Sequence, residues 1–389
     1  MSTRVGIVAD FAEEHWPSMD LVAEMLAAHL PDAAPDVTAT LLRPPFSRRA
    51  MRLPIAGRMP AAYALDRYTN RYADYTCWLW HRRRAFDVFH VIDHSYAHLV
   101  HVLPGERTIV TCHDVEAFRA ATGGEGNPLY RPIARRILSG LRQAALVTCD
   151  TYATRDEVVG LDLLSADRLV VVPNGVHPAM FGDGDGASAQ AEVERMLGPA
   201  IGPELLHVGS TVARKRIDLL LEAFARIRLE HPDIRLVRVG GPLTTAQRTL
   251  ARRLGVGHAI LELPNLAPDG LAAVYRRATL TLLPSDREGF GLPLVESLAA
   301  RTPVLASRIP SLVEIGGGIV AYAEPGNAAS WSEGVSKLLA ERAHEPGWWS
   351  HRREEGRRQA RRFCWARHAS AMADLYRRIG QPCRHSSAS

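Results

Sequence analysis

The sequence lacks most of the features that mark a secreted, membrane-spanning or disordered protein. Its five cysteines form no Cys-x-x-Cys pair, so neither a disulfide framework nor a cysteine zinc site is expected. No run approaches the ~18–20 apolar residues of a spanning helix, and Asp10 interrupts the N-terminus before a signal-peptide core could form. With 47% hydrophobic and 23% charged residues, the composition is that of a globular protein, which we expect to be cytoplasmic.

Lysine is also nearly absent. Lys215 and Lys337 are the only two lysines among 47 basic residues. Arginine offers a planar fork of donors, whereas lysine offers a compact point charge. A lysine in such a chain indicates a position that needs this point charge, which makes Lys215 a candidate functional residue.

The 389 residues are enough for two domains, each with its own core. Short β-branched runs alternate with stretches of helical period, a pattern typical of parallel sheets covered on both faces. The predicted strands are Val5–Val8, Val37–Leu42, Val88–Ile92, Thr108–Cys112, Leu146–Cys149, Leu169–Val172, Leu205–Val208, Leu236–Val239, Ile260–Leu263, Leu280–Leu283, Val304–Ala306 and Ile319–Ala321.

The alternation occurs twice, and a polar, glycine-rich stretch at residues 182–190 separates the two series. We therefore expect an α/β protein with doubly wound, Rossmann-like domains at 1–190 and 191–362. Residues 363–389 are expected to form a helix that packs back on the first domain, followed by a tail. Tandem domains of this kind bind ligands in the central cleft that the carboxyl ends of their strands face.

The segment from residue 280 to residue 307 carries the strongest chemical signal. A buried strand is followed by a loop with Glu288 and two glycines, and then by a helix that Pro293 opens. Unpaired N–H groups at such a helix start favour a phosphate or the hydroxyls of a sugar. Glu296, about one turn into the helix, can face the same ligand. The alternative to a ligand role is that Glu288 is a solvated loop residue and Glu296 a residue on the helix surface.

A second segment, residues 205–225, places Arg214 and Lys215 directly before an amphipathic helix. An arginine fork next to a lysine point charge suits a diphosphate. Cations at a helix start oppose the helix dipole, so an anionic ligand explains the pair better than surface charge alone.

These residues resemble a known family. Glu288-Gly-Phe-Gly-Leu-Pro, followed by Glu296, is similar to the E-x7-E signature of the retaining, GT-B-fold glycosyltransferases of family 4 (glycosyl transferases group 1). Arg214-Lys215 resembles the diphosphate-binding pair of that family. Further matches in the family's order are His113-Asp114, Pro173-Asn-Gly-Val176 and Val239-Gly-Gly-Pro242.

The resemblance implies a donor site and a catalytic set. Arg214 and Lys215 would neutralise the donor diphosphate and the charge that develops on the leaving group. Glu296 would bind the ribose hydroxyls and Glu288 the hydroxyls of the donor sugar, while His113 would lie near the anomeric carbon, bonded to the sugar. The remaining donor contacts would come from Ser210, Gly289, Phe290, Gly291 and Leu292. No metal or other cofactor is implied, and Asp183-Gly-Asp185 lies in the predicted linker as a solvated stretch.

The N-terminus departs from the family pattern. Members commonly have a Gly-Gly loop after the first strand, whereas this chain continues from Asp10 through Phe-Ala-Glu-Glu-His to Trp16. We expect this bulkier loop to take the place of the glycine loop. Asp10, Trp16, Ser18 and Asp114 are then expected on the acceptor side.

The resulting hypothesis is a retaining hexosyltransferase that moves a sugar from a nucleotide diphosphate sugar to a hydroxyl of a saccharide, glycolipid, polysaccharide precursor or small molecule. Front-face displacement is expected, with the departing phosphate helping to take the acceptor proton. A nucleotide-sugar epimerase or a phosphorylase on the same fold is one alternative. A non-catalytic basic protein that binds a membrane or nucleic acid is another.

Residues 43–84 combine ten arginines with six tyrosines and tryptophans. Basic and aromatic side chains together suit an anionic membrane surface or a nucleic-acid backbone, whereas an amphipathic helix with a charged outer face is the structural alternative. We expect no nucleic-acid partner, and a peripheral contact with the inner face of the membrane stays open.

Overall fold

The computed structural model describes residues 2–54, 59–119, 130–182 and 187–380. The chain divides into two compact units, a first one of Met1–Gly175 with Trp365–Ser389 and a second one of Val176–Cys364. This boundary lies before the predicted one at residue 190, because Val176 and Met180 pack in the core of the second unit. Asp183-Gly-Asp185 lies outside the described residues.

A parallel sheet of six strands, in the order β2-β1-β3-β4-β5-β6, forms the centre of the first unit. Its central strands are buried along their whole length, as expected for a sheet covered on both faces. The residues that follow each strand lie along one edge, because all strands run in the same direction. The bounds are β1 Thr3–Val8, β2 Val37–Leu42, β3 Val88–Val91, β4 Thr108–Cys112, β5 Leu146–Cys149 and β6 Leu169–Val171.

The second unit is built on a parallel sheet of six strands in the order β12-β11-β10-β7-β8-β9. The order reverses at β7 and β10, and the sequence segments with the strongest chemical signal follow these two central strands. The bounds are β7 Glu204–Val208, β8 Arg235–Val239, β9 Ile260–Leu263, β10 Leu280–Leu283, β11 Val304–Ser307 and β12 Ala321–Ala323.

The helices of the chain cover these sheets. They are α1 Pro17–Ala33, α2 Pro60–Thr69, α3 Tyr75–Trp80, α4 Glu116–Arg119, α5 Arg131–Gln143, α6 Tyr152–Gly160, α7 Ala187–Leu197, α8 Ile217–Glu230, α9 Thr245–Arg253, α10 Pro268–Arg277, α11 Leu292–Ala299, α12 Pro310–Gly316, α13 Ala328–His344, α14 Pro346–Ala360 and α15 Trp365–Gly380.

Each sheet has a separate hydrophobic core on each face. In the first unit, α1 and α15 pack on one face around Leu26 and Trp365, and α3 and α5 pack on the other around Tyr75 and Leu141. In the second unit, α8 and α13 share one core, and α10, α11 and α14 share the other. The last helix therefore packs within the first unit.

All twelve predicted strands are present, and only the last one is displaced. A 3-10 helix at Gly317–Ile319 occupies the residues before β12. Its first residue, Gly317, makes the turn after α12 and has a φ of 58°. Sequence periodicity did not reveal this turn. Within the described ranges, no helix has the length and apolar character needed to cross a membrane.

Candidate active site

Glu288 lies in the loop between β10 and α11, where its carboxylate bridges two cations. Oε1 accepts hydrogen bonds from Lys215 Nζ at 2.5 Å and from Ser285 Oγ at 2.6 Å, and Oε2 accepts one from Arg214 Nη1 at 3.2 Å. Burial opposes ionisation, yet Lys215 and Arg214 outweigh it and hold the pKa of Glu288 below its usual range. The carboxylate is therefore charged, and its three partners fix its position.

The turn between β7 and α8 delivers both cations to this loop. Arg214 and Lys215 stand in a short 3-10 helix that ends at Arg216, which adopts the left-handed conformation with a φ of 48°. Ion pairs with Asp218 and Asp286, each at 3.0 Å, hold the Arg216 side chain. The Asp286 N–H also donates to the Arg214 carbonyl at 2.9 Å. The two loops are thus cross-linked, which fixes the cations relative to Glu288.

The start of α11 depends on Gly291, which has a φ of 84°. A Cβ at this position would lie 2.5 Å from Leu312 Cδ2, so a side chain would be excluded by space as well as by conformation. Phe290 turns its ring into the core, where it packs on Phe363 with 5.5 Å between ring centroids. Its backbone is the part that can meet a ligand. Pro293 is the second helical residue and not the first.

Glu296 is buried one turn further along α11. Its Oε2 accepts a hydrogen bond from Tyr275 Oη at 2.8 Å. Burial raises the pKa of Glu296 to about 7, although the Tyr275 hydrogen bond partly offsets this effect. Of the other predicted donor residues, Ser210 is exposed after β7, and Gly289 and Leu292 are partly buried on either side of the Phe290–Gly291 turn.

Arg238, at the end of β8, is a further cation of this region that sequence analysis did not identify. Its side chain is fully buried and donates to the Gly209 carbonyl at 3.1 Å and to the Gly241 carbonyl at 3.5 Å. Its Nε has no partner among the residues that the structure describes, and burial lowers the pKa of the guanidinium. A Cβ on Gly240 would lie only 2.5 Å from the Gly209 oxygen. Arg238 therefore ties together the glycine turns that follow β7 and β8.

His207 pairs with Arg238 in the register of β7 and β8 and adds no charge. Burial, with the nearby Arg238 and Lys215 cations, lowers its pKa well below the usual range, so the ring is neutral. Three cations then surround this end of the second sheet, and Glu288 is the carboxylate that contacts two of them. The positive charge that Glu288 leaves unbalanced favours an anionic ligand, such as a diphosphate.

In the first unit, His113 follows β4 and has both ring nitrogens engaged. Nδ1 lies 2.7 Å from Asp150 Oδ2, and Nε2 lies 2.8 Å from the Ile92 carbonyl oxygen. Burial alone would lower the pKa of His113, but the Asp150 carboxylate outweighs burial and raises it to about 10. The ring donates from both nitrogens and is positively charged. A sugar hydroxyl would have to displace the Ile92 carbonyl to bond with the ring.

Acidic residues follow the neighbouring strands at the same edge. Asp93, after β3, accepts from the Ser95 N–H at 2.8 Å and lies 3.3 Å from His94 Nδ1. Burial would raise the pKa of Asp93, but the electrostatic effects of the neighbouring His94 and His113 and the Ser95 hydrogen bond outweigh burial and hold it at about 2. Asp114 lies 3.7 Å from His94 Nε2 and is partly exposed.

Asp10 lies directly after β1 and is buried. Neither of its carboxylate oxygens has a hydrogen-bond partner among the residues described. Burial, reinforced by the charge of Asp93, raises its pKa well above the usual range. Asp10 is therefore a neutral carboxylic acid, which can donate a hydrogen bond as well as accept one.

Two hydrogen bonds tie the loop after β1 to neighbouring elements of the first unit. The Phe11 N–H donates to Tyr96 Oη at 3.4 Å, and Tyr63 Oη donates to the Glu13 carbonyl at 2.5 Å. The loop then enters α1 with Trp16 exposed and Ser18 partly buried. These two residues lie on the surface, whereas Asp10 lies in the interior.

The structure thus brings most predicted residues into two clusters, one in each unit. It adds Asp93 and Asp150, which sequence analysis missed although each stands just after a predicted strand. It also adds Arg238 and Tyr275. The only sequence signal for Arg238 was a charge in an apolar strand, and Tyr275 had none. No set of three His, Cys, Asp or Glu side chains in the described ranges is arranged to hold a metal ion.

Solved structures share this architecture across almost the whole chain. HepE from Anabaena, solved in complex with UDP and glucose, aligns with a TM-score of 0.72 and 14% identity over 97% of this chain and 100% of that one. Sucrose-phosphate synthase from Thermosynechococcus elongatus aligns with a TM-score of 0.71 and 19% identity over 97% and 99%. At these identities the likeness shows the fold, which is the two-domain, Rossmann-like GT-B fold that the sequence predicted.

Sequence comparisons identify the family. Glycosyltransferase Family 4 matches residues 20–179, and Glycosyl transferases group 1 matches residues 199–361. The D-inositol 3-phosphate glycosyltransferase of Kineococcus radiotolerans is 31% identical over 305 residues, 72% of this chain and 67% of that protein. The one from Acidothermus cellulolyticus is 36% identical over 223 residues, 54% of this chain and 48% of that protein.

This chain belongs to the group 1 glycosyltransferases, as its motifs predicted. It spans about half to two thirds of the length of the curated relatives that it matches.

Proposed function

We propose that this chain transfers a hexosyl group from a nucleoside diphosphate sugar to an acceptor hydroxyl, with retention of the anomeric configuration. The observation that carries the proposal is the pair Arg214 and Lys215 on Glu288, with Arg238 bonded to the neighbouring Gly209 turn. Their excess positive charge lies at the carboxyl ends of β7, β8 and β10, where nucleotides bind in doubly wound sheets. The UDP and glucose in the HepE structure support the same choice of ligand.

The donor would bind through the residues of the second unit. Arg214 and Lys215 would contact the diphosphate, and Glu288 would exchange part of its contact with them for hydroxyls of the donor sugar. Glu296, with Tyr275, would accept from the ribose hydroxyls, and the backbone of Gly289 to Leu292 would contact phosphate and sugar. None of these contacts requires a metal ion.

The reaction breaks the bond between the anomeric carbon and the phosphate oxygen and forms a bond from that carbon to the acceptor oxygen on the same face. The acceptor proton passes to the departing phosphate oxygen, so no protein nucleophile is needed. Arg214 and Lys215 stabilise the negative charge that grows on the leaving diphosphate. His113 would donate a hydrogen bond from Nε2 to a hydroxyl of the donor sugar in place of the Ile92 carbonyl.

The acceptor would be rich in hydroxyl groups. The edge of the first sheet presents the carboxylates of Asp93, Asp114 and Asp150, which accept hydrogen bonds from hydroxyls and repel phosphate, and the neutral acid of Asp10, which can also donate a hydrogen bond. This balance of charge supports a saccharide or the sugar of a glycolipid. The curated relatives named above are, by their names, transferases to an inositol phosphate.

Calorimetric titration with UDP, GDP and ADP tests the donor site. One nucleotide is expected to bind in the micromolar range, and Lys215→Ala or Glu296→Ala should each weaken it about tenfold or more, which is about 1.4 kcal/mol. The other lysine of the chain, Lys337, is exposed on α13, so Lys337→Ala is the matched control and should leave the affinity unchanged. Folded protein that binds none of the three nucleotides would overturn the assignment.

Arg238→Met is expected to weaken binding of the same nucleotide about tenfold, because the turns at Gly209 and Gly241 lose the side chain that ties them together. The protein should stay folded, since a buried cation without a bonded carboxylate is replaced by an apolar side chain of similar length. Thermal unfolding and calorimetry measure the two effects separately. If the melting temperature fell with no change in affinity, Arg238 would be a packing residue only.

A further inference from the structure

Residues 60–80 form one continuous helical segment made of α2, the π-helix Asn70–Asp74 and α3. Its inner face is anchored in the first unit. The Asp66 carboxylate accepts from the Ala50 and Met51 N–H groups at 2.8 and 2.9 Å, and Tyr75 Oη donates to the Leu42 carbonyl at 2.6 Å. The exposed residues are all uncharged, and they are Pro60, Ala61, Ala64, Leu65, Tyr68, Ala73, Cys77 and Trp80.

The outer face, which we call the 60–80 stripe, leaves large apolar side chains in solvent. Leu65 is 59% exposed, Tyr68 52% and Trp80 46%, and the adjoining Leu53 and Met59 are more than half exposed. Leu65 and Tyr68 lie three residues apart on one side of α2. Large exposed apolar side chains grouped on one helical segment are typical of a docking site.

Arginines stand at both ends of this stripe without acidic partners. Arg48 and Arg52 are exposed before it, and Arg82, Arg83 and Arg84 follow it. The carboxylates of this region are already engaged, since Asp66 binds backbone N–H groups and Asp74 pairs with Arg49 at 2.6 Å. In the described part of the chain, these five arginines form no ion pair with a carboxylate. The stripe therefore exposes mainly uncharged side chains, with the 39% exposed Arg67 beside it at 4.0 Å from Glu14, and it is positive at its ends.

An open pocket of about 340 Å³ adjoins the C-terminal end of the stripe. Arg83, Arg84, Arg107, His101 and Trp80 line it, together with residues 102–104. The Arg83 guanidinium stacks over the Trp80 ring, 4.1 Å from its centroid, which holds the cation at the rim. Arg107 lies 3.7 Å from Glu106, whereas Arg83 and Arg84 have no carboxylate partner in the described part of the chain, and guanidinium groups at such a rim suit a phosphate group.

We propose that the 60–80 stripe docks on a bilayer that contains anionic lipids and that the adjoining pocket binds a lipid headgroup phosphate. Leucine, tyrosine and tryptophan on one helix face with arginines around them are the side chains that lie in the membrane interface. Charge complementarity selects an anionic surface. The proposal goes beyond the transfer reaction and does not depend on the donor site.

Flotation of the full-length protein with vesicles tests this proposal. The protein is expected to bind vesicles of phosphatidylcholine with phosphatidylglycerol and not vesicles of phosphatidylcholine alone. Arg83→Ser with Arg84→Ser should weaken binding at least about tenfold, and Leu65→Ser with Tyr68→Ser should weaken it by a similar factor. Arg252→Ser with Arg253→Ser, on the exposed face of α9, removes the same charge elsewhere and should have little effect.

The same measurements also show which results would contradict membrane docking of the 60–80 stripe. All replaced side chains are partly or fully exposed, and unchanged melting temperatures would show that the variants fold. Failure to bind anionic vesicles would overturn the proposal, as would binding that both pairs of substitutions leave intact. If inorganic phosphate raised the melting temperature of the wild type but not of the Arg83/Arg84 variant, and vesicles did not bind, the pocket would serve a soluble phosphate compound and the lipid assignment would fail.

Discussion

Replacing Glu288 with glutamine is expected to lower the rate of donor turnover about a hundredfold while leaving the affinity for the free nucleotide unchanged or a few-fold tighter. The carboxylate binds Lys215 and Arg214 in the free protein, so its removal leaves both cations available to a diphosphate. The donor sugar, in contrast, loses charged hydrogen bonds that are each worth about 1.5–3 kcal/mol. Release of nucleoside diphosphate from the sugar donor and calorimetry with the nucleotide measure the two effects.

Glu333→Gln is the matched control for this substitution. Glu333 is exposed on α13, and its replacement should change neither quantity. Equal losses of turnover and nucleotide affinity in Glu288→Gln would contradict the proposed sugar contact. They would mean that Glu288 acts only by holding Lys215 and Arg214 in place.

The sequence predicted the parts of this protein that depend on local pattern. Apolar runs located all twelve strands. Their alternation with stretches of helical period predicted two parallel sheets. Lys215 could be identified because a cation opposes the dipole at a helix start, and Glu288 because two glycines follow it before α11 and Pro293 stands in the first turn of that helix. The contact between Lys215 and Glu288 follows from the neighbouring positions of β7 and β10 in the sheet.

The features that the sequence did not predict depend on contacts between distant residues. Asp150 is a single acid after a strand, and only the fold places it 2.7 Å from His113. In the sequence, Arg238 is an isolated charge in an apolar strand. Only the structure shows that it donates hydrogen bonds to the carbonyls of Gly209 and Gly241. The division of the chain at Gly175 also depends on tertiary packing, because the flexible composition of residues 182–190 does not report where the core of the second unit begins.

Asp150→Asn is expected to change the pH dependence of donor turnover as well as its rate. In the wild type, Asp150 raises the pKa of His113 to about 10, so the ring stays charged throughout the neutral range. Without this carboxylate, burial dominates and lowers the pKa of His113, although Asp93 still favours the charged form. A larger share of the rings is then neutral at pH 8, and donor turnover should fall about tenfold or more because the charge-assisted hydrogen bond to the donor sugar is weakened.

The direction in which turnover changes with pH distinguishes an effect of Asp150 on the protonation of His113 from a loss of packing. Because the charged ring is the protonated one, turnover by Asp150→Asn should recover as the pH falls from 8 towards 5.5, whereas His113 contributes no such slope in the wild type. The stability that the His113–Asp150 pair adds should be complete below pH ~6.5 and should decline as the pH rises through about 10. Asp156→Asn, at an exposed position on α6, is the control and should follow the wild type in both measurements. A rate loss in Asp150→Asn that is the same at every pH would show that Asp150 supports the fold of the edge and not the charge of His113.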